Sequence, residues 1–252
     1  LFALAPGWHL YWRNPGGTGI APDLAFEGDD SVSVGAIAWP SPQTFEEADG
    51  LFTTWGYEGS VLLSAPLAGI ERTNEGSSTS TLRVNAQVLV CRTQCVPADF
   101  ELSTSIAHAL STTEALQVET LFRETLARVP GPAPAAGIVA SAHWREASPA
   151  LDETEIVRVT IETCRTGTSD CARLANQPSQ PSGALFLPID AETFEYEAAR
   201  VEAIPETQGR YLLELKATRL EAGIDRLHGL IPLRSSTGGI HHVELDVPID
   251  DA

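Results

Sequence analysis

Two pairs of closely spaced cysteines constrain the fold of this 252-residue chain more than any other feature. The first pair, Cys91 and Cys95, is separated by three residues, and the second pair, Cys164 and Cys171, by six. In one straight strand the first two cysteines would lie roughly 13 Å apart, at about 3.3 Å per residue. A disulfide requires Cα atoms within about 7 Å. The first pair can therefore form a disulfide only if the chain folds back between its cysteines.

Three kinds of chemistry are open to the first pair. A dithiol at the tip of a turn is accessible and closes a small ring, which favours a bond that exchanges with other thiols, and Arg92 could stabilise either thiolate. The second is a structural staple, although closing so short a loop adds roughly 2 kcal/mol or less to the free energy of unfolding. The third is metal binding. The two thiolates could hold copper(I) together with one histidine, either His108 or a member of the pair His241 and His242, or all four thiolates could hold zinc. The turn-tip setting favours exchange.

The second pair closes a longer loop in which Gly167 is free to turn, and the expected role there is a structural staple, with redox activity as the alternative. An even number of cysteines in close pairs is typical of an oxidising compartment. No run of about eighteen apolar residues is present, so we expect no membrane span. Since the chain opens inside a strand-like pattern, we expect it to be a fragment of a longer protein.

Charge and glycine pattern narrow the function classes. The formal net charge of −18 repels phosphate backbones and anionic lipids, so nucleic acid is not an expected partner. The glycine-rich segment 16–19 lacks the lysine and the helix that follow a phosphate-binding loop, and it is interpreted as a turn. We expect no cofactor. The length suits two cores of ordinary domain size.

Alternation of apolar and polar residues predicts a mostly β chain. Trp8, Leu10 and Trp12 alternate with more polar neighbours before a turn at 14–17. Many short strands separated by turn residues predict two immunoglobulin-like β-sandwich domains. Further alternating runs lie at 60–65, 82–90, 100–106, 155–163, 211–215 and 243–247.

One helix and one linker interrupt this pattern. Apolar residues recur every three or four positions over 113–129, which predicts a helix near the domain boundary, with Ser111 and Glu114 placed for a capping box. Its expected role is to seal one end of a domain. The Pro- and Ala-rich segment 130–137 predicts a stiff spacer that does not pair into a sheet. The predicted domains are therefore 1–129 and 138–252.

Four segments together resemble the periplasmic N-terminal region of the DsbD/ScsB family of thiol–disulfide interchange membrane proteins. The similarity looks closer to the ScsB branch, which is linked to suppression of copper sensitivity. It covers roughly the first hundred residues, in order: GWHLYWRNPG at 7–16 with Thr18 and Gly19, IAWP at 37–40, WGYEG at 55–59 and VCRTQCVP at 90–97.

This resemblance implies a function as well as a fold. By motif, Cys91 and Cys95 take the place of the family's redox cysteines, and Phe52, Trp55 and Tyr57 match the loop that shields them. The implied activity is a protein-disulfide reductase that needs no organic cofactor. It would relay electrons from the membrane-embedded redox domain of the same protein to oxidised envelope proteins, thioredoxin-like or peroxiredoxin-like. The implied location is the periplasm, as a soluble domain of an inner-membrane protein.

Two departures limit the resemblance. The Cys-x3-Cys spacing is shorter than in DsbD, and 138–252 contains no matching motif. The alternative is a non-enzymatic copper(I)-binding or structural module whose disulfides are staples.

Overall fold

The computed structural model describes residues 1–28, 32–69, 80–106, 112–164, 171–174, 186–190, 193–204, 209–234 and 239–251. The chain divides into two compact units, Leu1–Val129 and Pro130–Ala252. Both units consist mainly of antiparallel strands. The predicted fold class, mostly β with an immunoglobulin-like sandwich architecture, is confirmed.

The first unit is organised around a six-stranded sheet. Its main path runs β10-β9-β2-β6-β5, β3 also pairs with β9, and two small pairs, β1 with β7 and β4 with β8, complete it. The strands are β1 Phe2–Ala3, β2 His9–Gly16, β3 Asp23–Gly28, β4 Ser33–Val34, β5 Gln43–Glu47, β6 Phe52–Glu58, β7 Ser60–Val61, β8 Leu67–Ala68, β9 Ser80–Cys91 and β10 Cys95–Ile106.

Strand β2 is the centre of this unit because both of its faces are covered. Leu10 and Trp12 are buried in the apolar core, and His9 and Tyr11, which point to the other face, are buried as well. The prediction that the strand ends at a turn at 14–17 is wrong, because β2 continues to Gly16. This segment is an irregularity inside β2, where the register to β6 shifts between Tyr11 and Gly16. The Asn14 side chain stabilises it by accepting a hydrogen bond from the Gly16 N–H at 3.0 Å.

Two other expectations for this unit need correction. The strand expected at 60–65 extends only over Ser60–Val61. The helix α1 spans Thr112–Leu126 and ends earlier than the apolar pattern indicated, and the proposed cap residue Ser111 lies outside the described residues. The helix does not seal a domain end through its apolar side chains. They remain 38–59% exposed, namely Leu116, Val118, Leu121, Phe122 and Leu126.

The second unit contains a nine-stranded sheet whose main path runs β14-β18-β19-β12-β13-β17-β16, with β11 on β19 and β15 on β18. Alternating residues of β13 and β17 are part of its core, and Val157, Val159, Leu213 and Leu215 have 0–1% exposure. The strands are β11 Gly131–Pro132, β12 Val139–Trp144, β13 Thr154–Glu162, β14 Arg173–Leu174, β15 Leu187–Pro188, β16 Phe194–Ala203, β17 Arg210–Arg219, β18 Arg226–Arg234 and β19 Ile240–Asp250.

The segment expected to be an unpaired spacer belongs to the second unit. Gly131–Pro132 pairs in parallel with Val243 and Glu244 of β19, and Ala133–Ala136 forms a 3₁₀ helix whose first residue is 3% exposed. Proline lacks a backbone N–H but keeps its carbonyl acceptor and a fixed φ that suits the first turn of a helix. A proline-rich sequence can therefore pack at a sheet margin, and the spacer interpretation was wrong.

Candidate functional site

The β9–β10 hairpin brings the first cysteine pair together. Cys91 and Cys95 are directly opposite in the antiparallel register and form a disulfide with a Cα–Cα distance of 4.1 Å. The chain folds back through a turn in which the Arg92 N–H donates to the Gln94 carbonyl at 3.1 Å. Cys91 is 2% exposed, whereas Cys95 is exposed. The disulfide therefore presents one sulfur-bearing residue to solvent and keeps the other inside the protein.

The sheet register determines which side chains surround the disulfide. Cys91 is the cross-strand partner of His9 in β2, and Tyr11 lies on the same face because side chains two positions apart in a strand point to one side. Partners in an antiparallel register also share a face. By this rule Glu58, opposite His9, and Thr54, two strand positions from Gly56 opposite Tyr11, belong to the disulfide face.

Tyr11 is the polar neighbour closest to the disulfide in the described contacts. Its hydroxyl lies 3.2 Å from Cys91 Sγ and 4.0 Å from Cys95 Sγ, and 3.0 and 3.2 Å from the two carboxylate oxygens of Glu47. Burial and the hydrogen bond from the hydroxyl to the Glu47 carboxylate raise the pKa of Tyr11, so the phenol stays protonated. Its single proton can be donated to Glu47 or to the Cys91 sulfur. A carboxylate is the stronger acceptor while the sulfur is part of a disulfide.

Glu47 is held in place by three donors. In addition to the Tyr11 hydroxyl, the Thr54 hydroxyl donates to Glu47 Oε1 at 2.9 Å, and His9 Nε2 lies 3.0 Å from the same oxygen. The side chains of His9 and Glu47 are 8% and 21% exposed. Phe45 stacks on the His9 ring at 4.6 Å between centroids. Together they form a chain of hydrogen-bonding groups, His9–Glu47–Tyr11–Cys91, which we call the polar chain.

Local backbone features position this chain. A tight turn with left-handed φ angles of 50° at Ala48 and 57° at Asp49 joins β5 to β6, so Glu47 closes the hairpin directly beside the site. Gly19, with φ +98°, lies against the Tyr11 ring so closely that a Cβ there would be 2.5 Å from ring carbons. Only glycine suits such a position, because it combines a left-handed backbone with a close approach. Gly19 thus fixes the ring on one side.

The three aromatics expected to shield the pair do not act as one group. Tyr57 is the cross-strand partner of Leu10, which places it on the face opposite Cys91, and it is 1% exposed. Its hydroxyl donates to the Pro40 carbonyl at 2.7 Å. Trp55, two positions away, shares that face. Only Phe52, which is 39% exposed, is on the disulfide face. The structure therefore brings neither Tyr57 nor Trp55 to the cysteines.

The second pair also forms a disulfide, Cys164–Cys171, across an isolated antiparallel bridge. Both residues are half-buried. A Cβ at Gly209 would overlap the Cys164 sulfur, so the glycine backbone lies directly against this bond. The buried Thr163 beside it donates its hydroxyl to the Ala172 carbonyl at 2.5 Å.

The metal-binding alternative finds no assembled ligands in the described parts of the chain. They contain no group of three or more His, Cys, Asp or Glu residues able to hold a metal ion. His241 and His242 lie in β19 of the second unit, whereas Cys91 lies in the first, and His108 is outside the described residues. No helix among the described residues is long and apolar enough to cross a membrane.

Two comparisons with known proteins gave a match. Residues 1–106, which include both cysteines of the first pair and the whole polar chain, match the family described as thiol:disulfide interchange protein DsbD, N-terminal. This segment is therefore similar to the N-terminal domain of DsbD. The whole chain is also similar to the crystal structure of the N-terminal periplasmic domain of ScsB from Proteus mirabilis. That match has 19% identity and a TM-score of 0.63, and covers 98% of this chain and 85% of that one. At this identity the likeness shows a shared fold. No curated protein matches the sequence.

Sequence reasoning missed the polar chain. His9 and Tyr11 lie inside the first segment of the resemblance to the DsbD/ScsB family, and their alternation with Leu10 was a usable signal for a second buried face. Glu47 gave no such signal, because an acidic residue at the end of a short strand is usually solvated. Only the β2–β6–β5 register brings it to Tyr11.

Proposed function

We propose that this chain is a thiol–disulfide exchange domain in which Cys91 and Cys95 are the catalytic pair. The observation that carries the proposal is the asymmetry of the disulfide: Cys95 is exposed, and Cys91 is buried with the Tyr11 hydroxyl 3.2 Å from its sulfur. The match of residues 1–106 to the DsbD N-terminal family supports the same reaction class. A simple staple has no need for one accessible sulfur.

The asymmetry assigns a different role to each cysteine. A partner thiolate attacks the exposed Cys95 sulfur, the S–S bond breaks, and its electron pair goes to the Cys91 sulfur. The partner's second thiolate then attacks its own sulfur in the mixed disulfide and releases Cys95 as a thiolate. The partner becomes a disulfide and the domain a dithiol. In delivery, the Cys95 thiolate attacks a target disulfide, and Cys91 resolves the mixed disulfide.

The proposed place of this reaction is an electron relay in the periplasm. Electrons enter from the membrane-embedded redox domain of the same protein and leave to oxidised thioredoxin-like or peroxiredoxin-like envelope proteins. Support comes from the family match and from the fold shared with a periplasmic domain of ScsB. The protein-disulfide reductase activity belongs to the Cys91/Cys95 pair.

The first disulfide is covered by side chains of the β5–β6 hairpin rather than by the aromatic group Phe52, Trp55 and Tyr57 that the sequence predicted. The β5–β6 hairpin supplies Phe45, which stacks on His9, and Glu47, which binds Tyr11. Phe52 lies on the same face, as the register partner of Glu47. Because Cys91 is 2% exposed and Cys95 is exposed, a partner must reach the bond from the Cys95 side.

Serine substitutions test the roles of the two cysteines. Incubated in reduced form with a disulfide-bonded thioredoxin-like protein, Cys91→Ser should accumulate a mixed disulfide through Cys95, because the resolving thiol is gone. Cys95→Ser should accumulate none. Both variants should stay folded, since the ring contributes only about 2 kcal/mol. Cys164→Ser with Cys171→Ser is the matched control.

The reduction potential separates the proposal from its rival. An exchanging pair should equilibrate with glutathione at a potential above about −300 mV, whereas a structural staple lies below that value. Failure to trap a mixed disulfide, together with a potential below that limit, would refute the proposed function and favour the structural or copper-binding module.

A further inference from the structure

Breaking the Cys91–Cys95 bond creates a charge problem inside the protein. The electron pair goes to the sulfur of Cys91, which is 2% exposed, and a buried thiolate is disfavoured because it loses its hydration. Glu47, whose oxygens share the Tyr11 hydroxyl with this sulfur, adds a second negative charge nearby. The buried site can accept the electron pair readily only if a positive charge or a proton arrives with it.

The polar chain offers a route for that proton. Cys91 Sγ, the Tyr11 hydroxyl, Glu47 Oε1 and His9 Nε2 follow one another at 3.2, 3.0 and 3.0 Å. Each link is within hydrogen-bond distance. Tyr11 holds its proton tightly, so it can pass one to the sulfur only while it receives another from Glu47. His9 ends this chain, and an imidazole is the type of side chain that can both give and take a proton near neutral pH.

We propose that His9 is the proton donor and acceptor of the exchange reaction, acting on Cys91 through Glu47 and Tyr11. This inference rests on the proposed function of the cysteine pair. It makes His9 and Glu47 positioning residues, which act through Tyr11 rather than on the sulfur. It also explains why an imidazole is kept beneath a stacked phenyl ring instead of being exposed.

The step balances in atoms, electrons and charge. The partner thiolate bonds to Cys95, the S–S bond breaks, and the Cys91 sulfur gains the electron pair. Tyr11 gives its proton to this sulfur and takes one from Glu47, which takes one from protonated His9. One negative partner thiolate and one positive imidazolium become a neutral mixed disulfide, a neutral Cys91 thiol and a neutral imidazole. When Cys91 resolves the mixed disulfide, the same proton returns to His9.

The ionisable groups around His9 are consistent with this assignment. Glu47 of β5 binds its Nε2 atom, Tyr11 lies beside it in β2 with ring centroids 5.2 Å apart, and Cys91 of β9 is its cross-strand partner. Glu58 of β6 is directly opposite and accepts a hydrogen bond from the Gly7 N–H at 3.3 Å. Glu47 and Glu58 are thus the two carboxylates on the face that His9 shares with Cys91, and His9 Nε2 lies 3.0 Å from Glu47 Oε1.

The test is the rate of disulfide reduction by a small dithiol, divided by the concentration of the reductant's thiolate, from about pH 5 to 8, where histidine side chains change charge. For the wild type this rate should fall as pH rises. His9→Gln keeps an N–H donor for Glu47 but has no proton to give. Its rate should be lower at the acid end by about 100-fold, the low end for a positioned proton donor, and independent of pH.

A control and a second variant make the result decisive. His143→Gln changes an exposed histidine of β12 and should leave rate and pH profile unchanged. Glu47→Gln interrupts the route at its middle and should reproduce the flat profile of His9→Gln. Added imidazole should restore the rate of His9→Ala, in which the space under Phe45 is empty, but not that of Glu47→Gln.

The outcomes separate this inference from the function on which it rests. A wild-type profile in either folded variant, His9→Gln or Glu47→Gln, would overturn the proton route while leaving Cys91 and Cys95 as the exchange pair. A wild-type pair that the dithiol cannot reduce except at potentials typical of staples would remove the function itself. Absence of imidazole rescue with slow exchange in His9→Ala would show that His9 only supports the packing, and would also overturn the route.

Discussion

Gly19 offers a direct test of how the fold positions Tyr11. Alanine at this position meets two separate penalties. The backbone has a φ of +98°, which disfavours any residue with a Cβ, and the Cβ would lie 2.5 Å from carbons of the Tyr11 ring. The backbone of Tyr11 is itself held against β6, since a Cβ at Gly56 would lie 2.3 Å from the Leu10 carbonyl oxygen and 3.2 Å from Tyr11 Cα. We therefore expect Gly19→Ala to push the hydroxyl away from Cys91 and Glu47.

Gly59 is the matched control because it has the first penalty without the second. Its φ is +73°, and a Cβ there would meet nothing within 4 Å. Gly59→Ala should cost about 1–2 kcal/mol for the left-handed backbone. Gly19→Ala should cost a further 1–3 kcal/mol or so, the usual range for overpacking a well-filled site. Urea unfolding of both variants, with the disulfides intact, measures the difference between them.

The same pair of variants connects packing to chemistry. If Tyr11 supports cleavage at Cys91, Gly19→Ala should slow reduction of the first disulfide by at least about fivefold, which corresponds to one hydrogen bond of about 1 kcal/mol, and by up to about 100-fold where the displaced hydroxyl no longer passes a proton. Gly59→Ala should not. Equal urea midpoints for the two variants would refute the packing argument. A destabilised Gly19→Ala protein with wild-type reduction kinetics would show that the position of Tyr11 does not matter to the reaction.

Two further predictions concern the second unit. The Cys164–Cys171 disulfide should stay oxidised in a glutathione buffer that reduces Cys91–Cys95, because structural disulfides have potentials below about −300 mV; mass-tagging of free thiols across a buffer series measures this, and simultaneous reduction would make it a second redox centre. His228 lies 2.9 Å from Glu244 and 2.5 Å from Asp190; burial lowers the pKa of this half-buried histidine, but the hydrogen bonds to the two carboxylates raise it overall. A raised folded-state pKa stabilises the protein below the pKa of the unfolded chain, and that contribution is lost as pH rises through the folded value. His228→Gln should therefore destabilise the second unit by up to about 1 kcal/mol at pH 5.5 and by less at pH 8.5. Equal losses of stability in urea titrations at the two pH values would contradict this assignment.

The sequence was sufficient to predict where several strands lie but not which partners each face of a strand packs against. Alternation at 82–90 and 211–215 reports a period of two, and β9 and β17 formed there. Which face is buried against what depends on non-local pairing. Phe52, Trp55 and Tyr57 look like one aromatic cluster along the chain, but their alternate positions divide them between the two faces of β6. The cysteine pair itself was predictable because its chemistry is local to one hairpin.

Regions without a strong period were the hardest to interpret. The prolines of 130–137 were interpreted as a sign that this segment does not pair into a sheet. Gly131 and Pro132 nevertheless pair with β19, because a parallel contact of two residues needs few backbone N–H donors. The apolar spacing of α1 correctly predicted a helix, but helical spacing contains no information about whether a partner surface exists. Glu47 could not have been assigned at all, since its importance comes from three donors in two other strands.

The origin of the polar chain has a consequence for reactivity. The ring closed by Cys91 and Cys95 is small, and it depends only on the local hairpin that joins β9 to β10. The groups that hydrogen-bond along the polar chain come from β2, β5 and β6, and they meet only when the β9–β2–β6–β5 register is complete. In the unfolded chain Cys91 is solvated and has neither Tyr11 nor Glu47 beside it. The difference between its sulfur and that of Cys95 is thus a property of the folded sheet. A change that loosens β5 from β6 should make the two sulfurs alike in reactivity before it breaks the hairpin that joins them.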